Sequence, residues 1–340
     1  LFVTLFLLLS CGSGSAKVED PKTTFLNSIA NLGKGFLDVF TSLSDMVAGA
    51  FGIKAETKKS EVGAYFTKIA DTMTSVKKKL KDEVATNGNY SKIKSVVDTF
   101  ITNTLDKIAE GAKTAATGAT GEDKIGGATN AGQDAAPADT ASVNALVKGI
   151  KTIVDVVLKK DEGKADATKT AEDEQKSIAK LFGSTKDNST DAIAGAASAS
   201  IGAVTGADIL QAIASSVDAK DVAIDQAKDA ASIAIAKKED KNDLDAATKK
   251  DAVIAGGIAL RAMTKDGKFA SKNEAKSAHA ANGAAASAVG KTLSTLIIAI
   301  RNTVDSGLKT ISEALAAVTQ EDKFADSTTP AEAATGGQQQ

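Results

Sequence analysis

Residues 289–318 read VGKTLSTLIIAIRNTVDSGLKTISEALAAV, and the large apolar side chains of this stretch fall at Val289, Leu293, Leu296, Ile300, Val304, Leu308, Ile311, Leu315 and Val318. Steps of three and four place all of them on one face of an α-helix. With a start near Ala284, such a helix would be roughly 50 Å long at ~1.5 Å per residue. A stripe of this length needs a partner of similar length, so the rest of the chain has to supply other long helices.

It does so at its other end. Asp20-Pro21 reads as an N-cap followed by proline at the first helical position. Phe25, Ile29, Leu32, Phe36, Phe40, Leu43, Val47 and Phe51 then repeat the same spacing, as do Val62, Phe66, Ile69, Met73, Val76, Leu80 and Val84 up to Asn87-Gly88-Asn89. A third stripe runs through Ile93, Val97, Phe100, Leu105 and Ile108, and a fourth from Val143 to Leu158. Ile178, Leu181 and Phe182 form a short apolar patch, and the Ala-rich run from Asp191 predicts one or two helices to Val217, with further helical stretches over 222–237 and 244–263. Sustained alternation with a period of two is missing, and Pro21, Pro137 and Pro330 all fall outside the predicted helix interiors.

The fold class is therefore all-α: an elongated helical bundle in which the N- and C-terminal helices form a stalk and an Ala-rich middle of helices and loops lies beyond it. Residues 20–319 make up the helical domain. Within it the polar, Gly- and Ala-rich segment 111–140 reads as a long loop or a mobile, partly helical insertion, and 159–173 and 265–282 as polar, loop-rich stretches, all three expected to be exposed. The polar tail 320–340 is expected to be disordered.

Composition fits this architecture. Hydrophobic residues make up 43% but aromatics only 4%, so the core must be built from Ala, Val, Ile and Leu. Small side chains bury little area each and favour many contacts along lengthy helices. With 41 basic and 43 acidic residues the net charge is −2, which provides no electrostatic footprint for nucleic acid. Arginine occurs only at Arg261 and Arg301.

The beginning of the sequence carries a different signal. Leu1-Phe2-Val3-Thr4-Leu5-Phe6-Leu7-Leu8-Leu9-Ser10-Cys11 is too short to span a bilayer, which takes about 20 apolar residues. Its length suits the apolar core of a signal peptide, and its last four residues resemble a lipobox. Residues 1–10 are thus expected to be a signal segment lacking its basic start. Cys11 is the expected lipid attachment site, and 11–19, containing Gly12-Ser13-Gly14-Ser15, a flexible tether. One acyl chain binds membranes marginally, at ~0.8 kcal/mol per buried CH₂, whereas two or more anchor stably. The competing reading, a core strand ending in a chance cysteine, does not explain why the single Cys of the chain closes the run.

Chemistry-bearing motifs are weak. Gly290-Lys291-Thr292 resembles the end of a phosphate-binding loop, but Ala285 stands where a glycine is needed and the context is helical. His279, the one histidine, has no Cys or obvious carboxylate partner and reads as a solvated surface residue. Lys77-Lys78-Lys79 with Lys81 reads first as the solvated face of an amphipathic helix, and otherwise as a contact for anionic glycans or lipid head groups. Asn188-Ser189-Thr190 has the form of a glycosylation sequon that a bacterial chain would not ordinarily use. Neither a catalytic constellation nor a metal or cofactor site emerges, so an enzyme is not expected.

The start Leu9-Ser10-Cys11-Gly12-Ser13-Gly14, the segment Phe25-Leu26-Asn27-Ser28-Ile29-Ala30-Asn31-Leu32-Gly33-Lys34-Gly35-Phe36 and the segment Val39-Phe40-Thr41-Ser42-Leu43 resemble the variable large proteins, a family among the variable major lipoproteins of relapsing-fever spirochaetes. The resemblance extends over nearly the whole chain. It implies an outer-membrane protein lipidated at Cys11 and facing outward, expressed singly from a silent repertoire. Its function would then be antigenic variation and immune evasion, with the membrane and host antibodies as its partners. The polar segments 111–140, 159–173 and 265–282 would face the antibodies. The alternative is an adhesin that uses lysine clusters to bind host glycosaminoglycan or another host ligand.

Overall fold

In a computed structural model, residues 23–24, 26–35, 52–87, 90–183, 185–239, 241 and 243–319 are described. Helices dominate, and the described residues contain four isolated β-bridges and no strand. Residues 26–35 are helical and form α1. The second stripe becomes α2 (Lys59–Asn87), whose buried face is Val62, Phe66, Ile69, Met73, Val76, Leu80 and Val84. The third stripe is one continuous path through α3 (Ser91–Phe100), a π-helical turn (Ile101–Leu105) and α4 (Asp106–Gly118). α5 (Thr140–Val157) is the fourth, capped by the Asp139 carboxylate, which accepts from the Ser142 amide at 2.8 Å. The patch at 178–182 lies at α7 (Ala179–Gly183), just after α6 (Glu172–Ser177).

The Ala-rich run splits in two. α8 (Asp191–Ala203) and α9 (Gly206–Ala214) meet at 98° because Thr205 and Asp208 form a capping box that starts a new helix. After them come α10 (Ala230–Ile235), α11 (Asp251–Met263) and α12 (Ala275–Ala316). α12 has 42 residues, hence a length of about 63 Å. It is apolar enough to cross a bilayer by composition alone, but α8, α9 and α11 pack on its first half and α3 and the π-turn against it farther along. It is the axis of the molecule.

Positions along that axis define two regions. At one end Leu32 of α1 is fully buried, a Cβ at Gly33 would lie 3.7 Å from Leu315, and Gly35 sits against Glu83 of α2. Phe100 of α3 closes on Gly307. This is the stalk, and in it N- and C-terminal helices meet as the stripes require. At the other end Asn282 exchanges two hydrogen bonds with Ala128, of 2.9 and 3.0 Å, and Gln133 pairs with Ser271. Leu315 and Asn282 lie roughly 50 Å apart along α12 at ~1.5 Å per residue. The head, between Asn282 and the stalk, holds α4 to α11 around the first half of α12.

Several expectations change. Of the two readings of 111–140 the partly helical one holds, but not as an exposed insertion: Gly111–Gly118 completes α4, with Gly111, Ala112, Ala115 and Gly118 buried and both glycines against α5. The missing large side chains there are what lets two backbones approach; a Cβ on Gly149 would come within 2.4 Å of the Ala115 amide nitrogen. Residues 119–139, with Pro137, are irregular as expected, yet are tied by bridges to 268 and 271. Likewise 275–282 is not loop but the first turns of α12, which begins nine residues before the expected start near Ala284. The expected helices over 222–237 and 244–263 shrink to α10 and α11, because capping by Asp229 delays the first and Lys250 adopts extended backbone before the second. The positions Cys11, Pro21, Phe25, Phe36, Phe40, Leu43, Val47, Phe51 and the tail lie outside the described residues.

Candidate functional site

The most unusual chemistry lies inside the head. α11 carries an otherwise apolar sequence, Asp251-Ala252-Val253-Ile254-Ala255-Gly256-Gly257-Ile258-Ala259-Leu260-Arg261-Ala262-Met263, with a charge near each end, and both charges are fully buried. A carboxylate at the N-terminus and a guanidinium near the C-terminus match the helix dipole.

Arg261 donates Nε to Ala234 O (2.8 Å), Nη1 to Phe182 O (2.9 Å) and Lys268 O (3.3 Å), and Nη2 to Ala236 O (2.6 Å) and Ile233 O (3.3 Å). Its guanidinium carbon lies 5.0 Å from the centroid of Phe182, which meets Phe269 edge-on at 5.8 Å. Beside it Lys59, at 1% exposure, donates Nζ to Thr264 O (2.6 Å), Gly267 O (2.7 Å) and Arg261 O (3.4 Å). Arginine has five N–H donors and lysine three; each cation therefore has as many carbonyl acceptors as donors. Among the described residues no carboxylate pairs with either one. Most of the acceptors come from the ends of α7, α10 and α11, where carbonyls lack intrahelical partners and the dipoles are negative. Burial pushes the Lys59 ammonium down to about 8 and the Arg261 guanidinium down to about 9. Both side chains are sealed from solvent, so the hub is architectural.

Asp251 closes the opposite end of α11. Its Oδ2 accepts the amides of Lys169 (2.6 Å) and Thr170 (2.9 Å), and its Oδ1 accepts the Thr170 hydroxyl (2.5 Å) and the Gln175 amide (3.1 Å). Burial alone would raise this carboxyl; the hydrogen bonds from Thr170, Lys169 and Ser200 outweigh it and hold it below the ordinary carboxylate range. The exposed segment 159–173 is fastened here, with a further bond from the Lys164 amide to Asp208 (2.7 Å).

The residues singled out by sequence lie elsewhere. His279 is exposed on the first turns of α12. Gly290-Lys291-Thr292 is mid-helix; Lys291 donates to Ile201 O at 2.8 Å and the buried Thr292 bonds back to Ala288 O, so no phosphate cradle exists there. In the lysine cluster, Lys77 pairs with Asp106 (2.6 Å) and Lys78 with Asp82 (2.5 Å), while Lys79 and Lys81 are exposed. Asn188-Ser189-Thr190 includes a short 3₁₀ turn with Ser189 buried. Among the described residues no group of three or more His, Cys, Asp or Glu could hold a metal ion. Lys59 and Asp251 carried no sequence signal as a site; Arg261 carried one, as one of two arginines and the only one inside an Ala-rich apolar run.

Comparison with known proteins agrees with this architecture. Residues 36–315 match the family described as Borrelia lipoprotein. The chain is 63% identical over 349 residues to Variable large protein 4 of Borrelia hermsii, covering 99% of this chain and 98% of that protein. It is 60% identical over 358 residues to Variable large protein 17 of the same organism, covering 100% and 97%. Among solved structures it is similar to the crystal structure of the Lyme disease variable surface antigen VlsE of Borrelia burgdorferi, with a TM-score of 0.76 and 35% identity over 87% of this chain and 100% of that one. A helical scaffold, a head fastened by buried polar groups and similarity to these relatives along nearly the full length of the chain lead to one assignment: the chain belongs to the Borrelia lipoprotein family and, within it, to the variable large proteins.

Proposed function

We propose that this protein is a non-catalytic, lipid-anchored antigen of the bacterial outer surface, attached through Cys11 and serving antigenic variation and immune evasion. The observation that carries the reading is the polarity of the fold. The chain enters through α1, beside Leu315, whereas the 119–139 loop and the turn after α11 lie with Asn282 at the far end of α12. A lipid upstream of α1 would place the stalk toward the membrane and that end outward. The relatives named variable surface antigen and variable large protein support the same role. The glycan-binding alternative has less behind it, because carboxylates already engage two of the four clustered lysines.

The test uses intact cells expressing the full chain. Added protease should remove the protein from the surface, mass spectrometry should find acyl chains on Cys11, and Cys11→Ala should abolish membrane retention. Antisera raised against this chain should lose most of their binding when exposed head residues such as Lys124, Lys160, Asp161 and Lys265 are exchanged for other polar residues. Protease resistance on intact cells, or a bare thiol, would overturn the anchored display; serum binding that ignores those exchanges would overturn the antigenic role.

A further inference from the structure

A surface that changes its side chains needs a backbone that does not depend on them. Around the far end of the head, the groups that hold the backbone are the two buried cations, and every bond that they make goes to a main-chain carbonyl. Lys59 takes Thr264 O and Gly267 O, on either side of the exposed Lys265 and Asp266. Arg261 takes Lys268 O, farther along that turn, together with Phe182 O and the carbonyls of Ile233, Ala234 and Ala236. The neighbouring loop is added by further main-chain bonds: Ala136 N to Lys268 O (3.1 Å), Lys268 N to Ala136 O (2.9 Å), Asp139 N to Lys265 O (2.9 Å) and Ala138 N to Ala234 O (3.2 Å). Two elements of the outer end are thus organised by one pair of side chains, and the exposed side chains of Lys265, Asp266 and Lys268 make none of these bonds.

We infer that Lys59 and Arg261 are positioning residues forming a main-chain clamp that fixes the backbone path of the 264–271 turn and, through it, the 133–139 segment, independently of the exposed side chains that these segments carry. A carbonyl oxygen is the one acceptor every residue type supplies, so a clamp that reads carbonyls tolerates sequence change in what it holds. Carboxylate partners would have tied each cation to a particular residue and lost that tolerance. The inference concerns how the outer end is held, and it stands whether or not antibodies are what meets it.

The test is amide hydrogen exchange on the purified full chain, read by mass spectrometry over 133–139, 264–271 and the stalk part of α12. In Lys59→Met, which keeps the apolar stem and removes the donors, and in Arg261→Lys, which keeps charge but loses the planar fork, exchange over 133–139 and 264–271 should rise by about tenfold or more while the stalk stays protected. The variant combining Lys265→Ala, Asp266→Asn and Lys268→Ala, which alters only exposed side chains, should exchange within about twofold of the parent at the same amides. Unchanged exchange in Lys59→Met would overturn the clamp. Loss of protection in the triple variant would overturn it too, and that arm decides the matter even if both clamp variants fail to fold. Antibody binding enters none of these measurements, so failure here is separable from failure of the display reading.

Discussion

Asp251 holds the head through its side chain, and Asp266 matters there only through its backbone conformation. The folded state holds the Asp251 carboxyl below its ordinary range, so this group stabilises the fold above the unfolded value near 3.8, and that contribution disappears as pH falls through the folded value. Asp251→Asn should cost roughly 2–3 kcal/mol at neutral pH, the scale of hydrogen bonds to a charged group. It should also flatten the acid limb of a stability-against-pH curve measured by urea titration. Asp266 has φ of 65°, the left-handed region that Asp and Asn tolerate better than branched residues. Asp266→Val should lower stability by about 1–2 kcal/mol, whereas Asp266→Gly should leave the thermal midpoint unchanged or higher. Sequence reading placed Asp266 in a polar segment but Asp251 inside a longer helix expected over 244–263, and it could not see Asp251 as an anchor. Hydrogen bonds from Thr170 to Asp251, 81 residues apart, leave no local pattern. Arg261 was noted only as one of two arginines and not as a site, and Lys59, one lysine among many, was not noted at all.

Elements built from large apolar stripes were legible; those built from small residues were not. α2, α5 and most of α12 sit where the steps of three and four put them, because Leu, Ile, Val and Phe mark a buried face unambiguously. Gly111–Gly118 and 275–282 did not read as buried helix for the opposite reason: their buried faces are Gly, Ala and Ser, and helices meeting through such faces carry no apolar periodicity. The α4–α5 contact shows the consequence. Gly111 and Gly149 lie backbone to backbone, and a methyl group on either would enter the other helix at under 3 Å. Gly149→Ala should therefore force the pair apart and destabilise by about 1–3 kcal/mol, as overpacking does. At Gly195, where nothing lies within 4 Å, the same change should be stabilising by up to ~1 kcal/mol through helix propensity. Chemical denaturation of the two variants side by side checks both signs. A lower midpoint for Gly195→Ala, or none for Gly149→Ala, would contradict the packing described.

At the scale of the whole molecule, the axis is a single helix. α12 alone implies a maximum dimension above about 60 Å in small-angle scattering, and a markedly smaller value would be incompatible with the stalk. The pairing of N- and C-terminal helices was inferable, since strong stripes at both ends required partners; the parallel run of α8 along α12 was not, since the buried face of α8 is largely small (Ala194, Ala197 and Ser200 beside Ile193 and Ile201), with Asp191 facing Lys276 and Lys291 reaching Ile201 O at its two ends. The segment 159–173, expected among the antibody-facing regions, is exposed but fastened through Lys164 to Asp208 and through Lys169 to Asp251. It borders an open groove of about 670 Å³ that includes Thr295, which puts it nearer the stalk than the 119–139 loop.

Because α1 and the last turn of α12 lie side by side, the described chain is a hairpin in space, leaving close to where it enters. On the anchored display proposed above, a reporter placed after 319 would sit at the same end as α1, on the side of the lipid. A short insertion beside Lys124 would ride at the opposite extremity, with the loop that Asn282 holds, and so farthest from the point of entry.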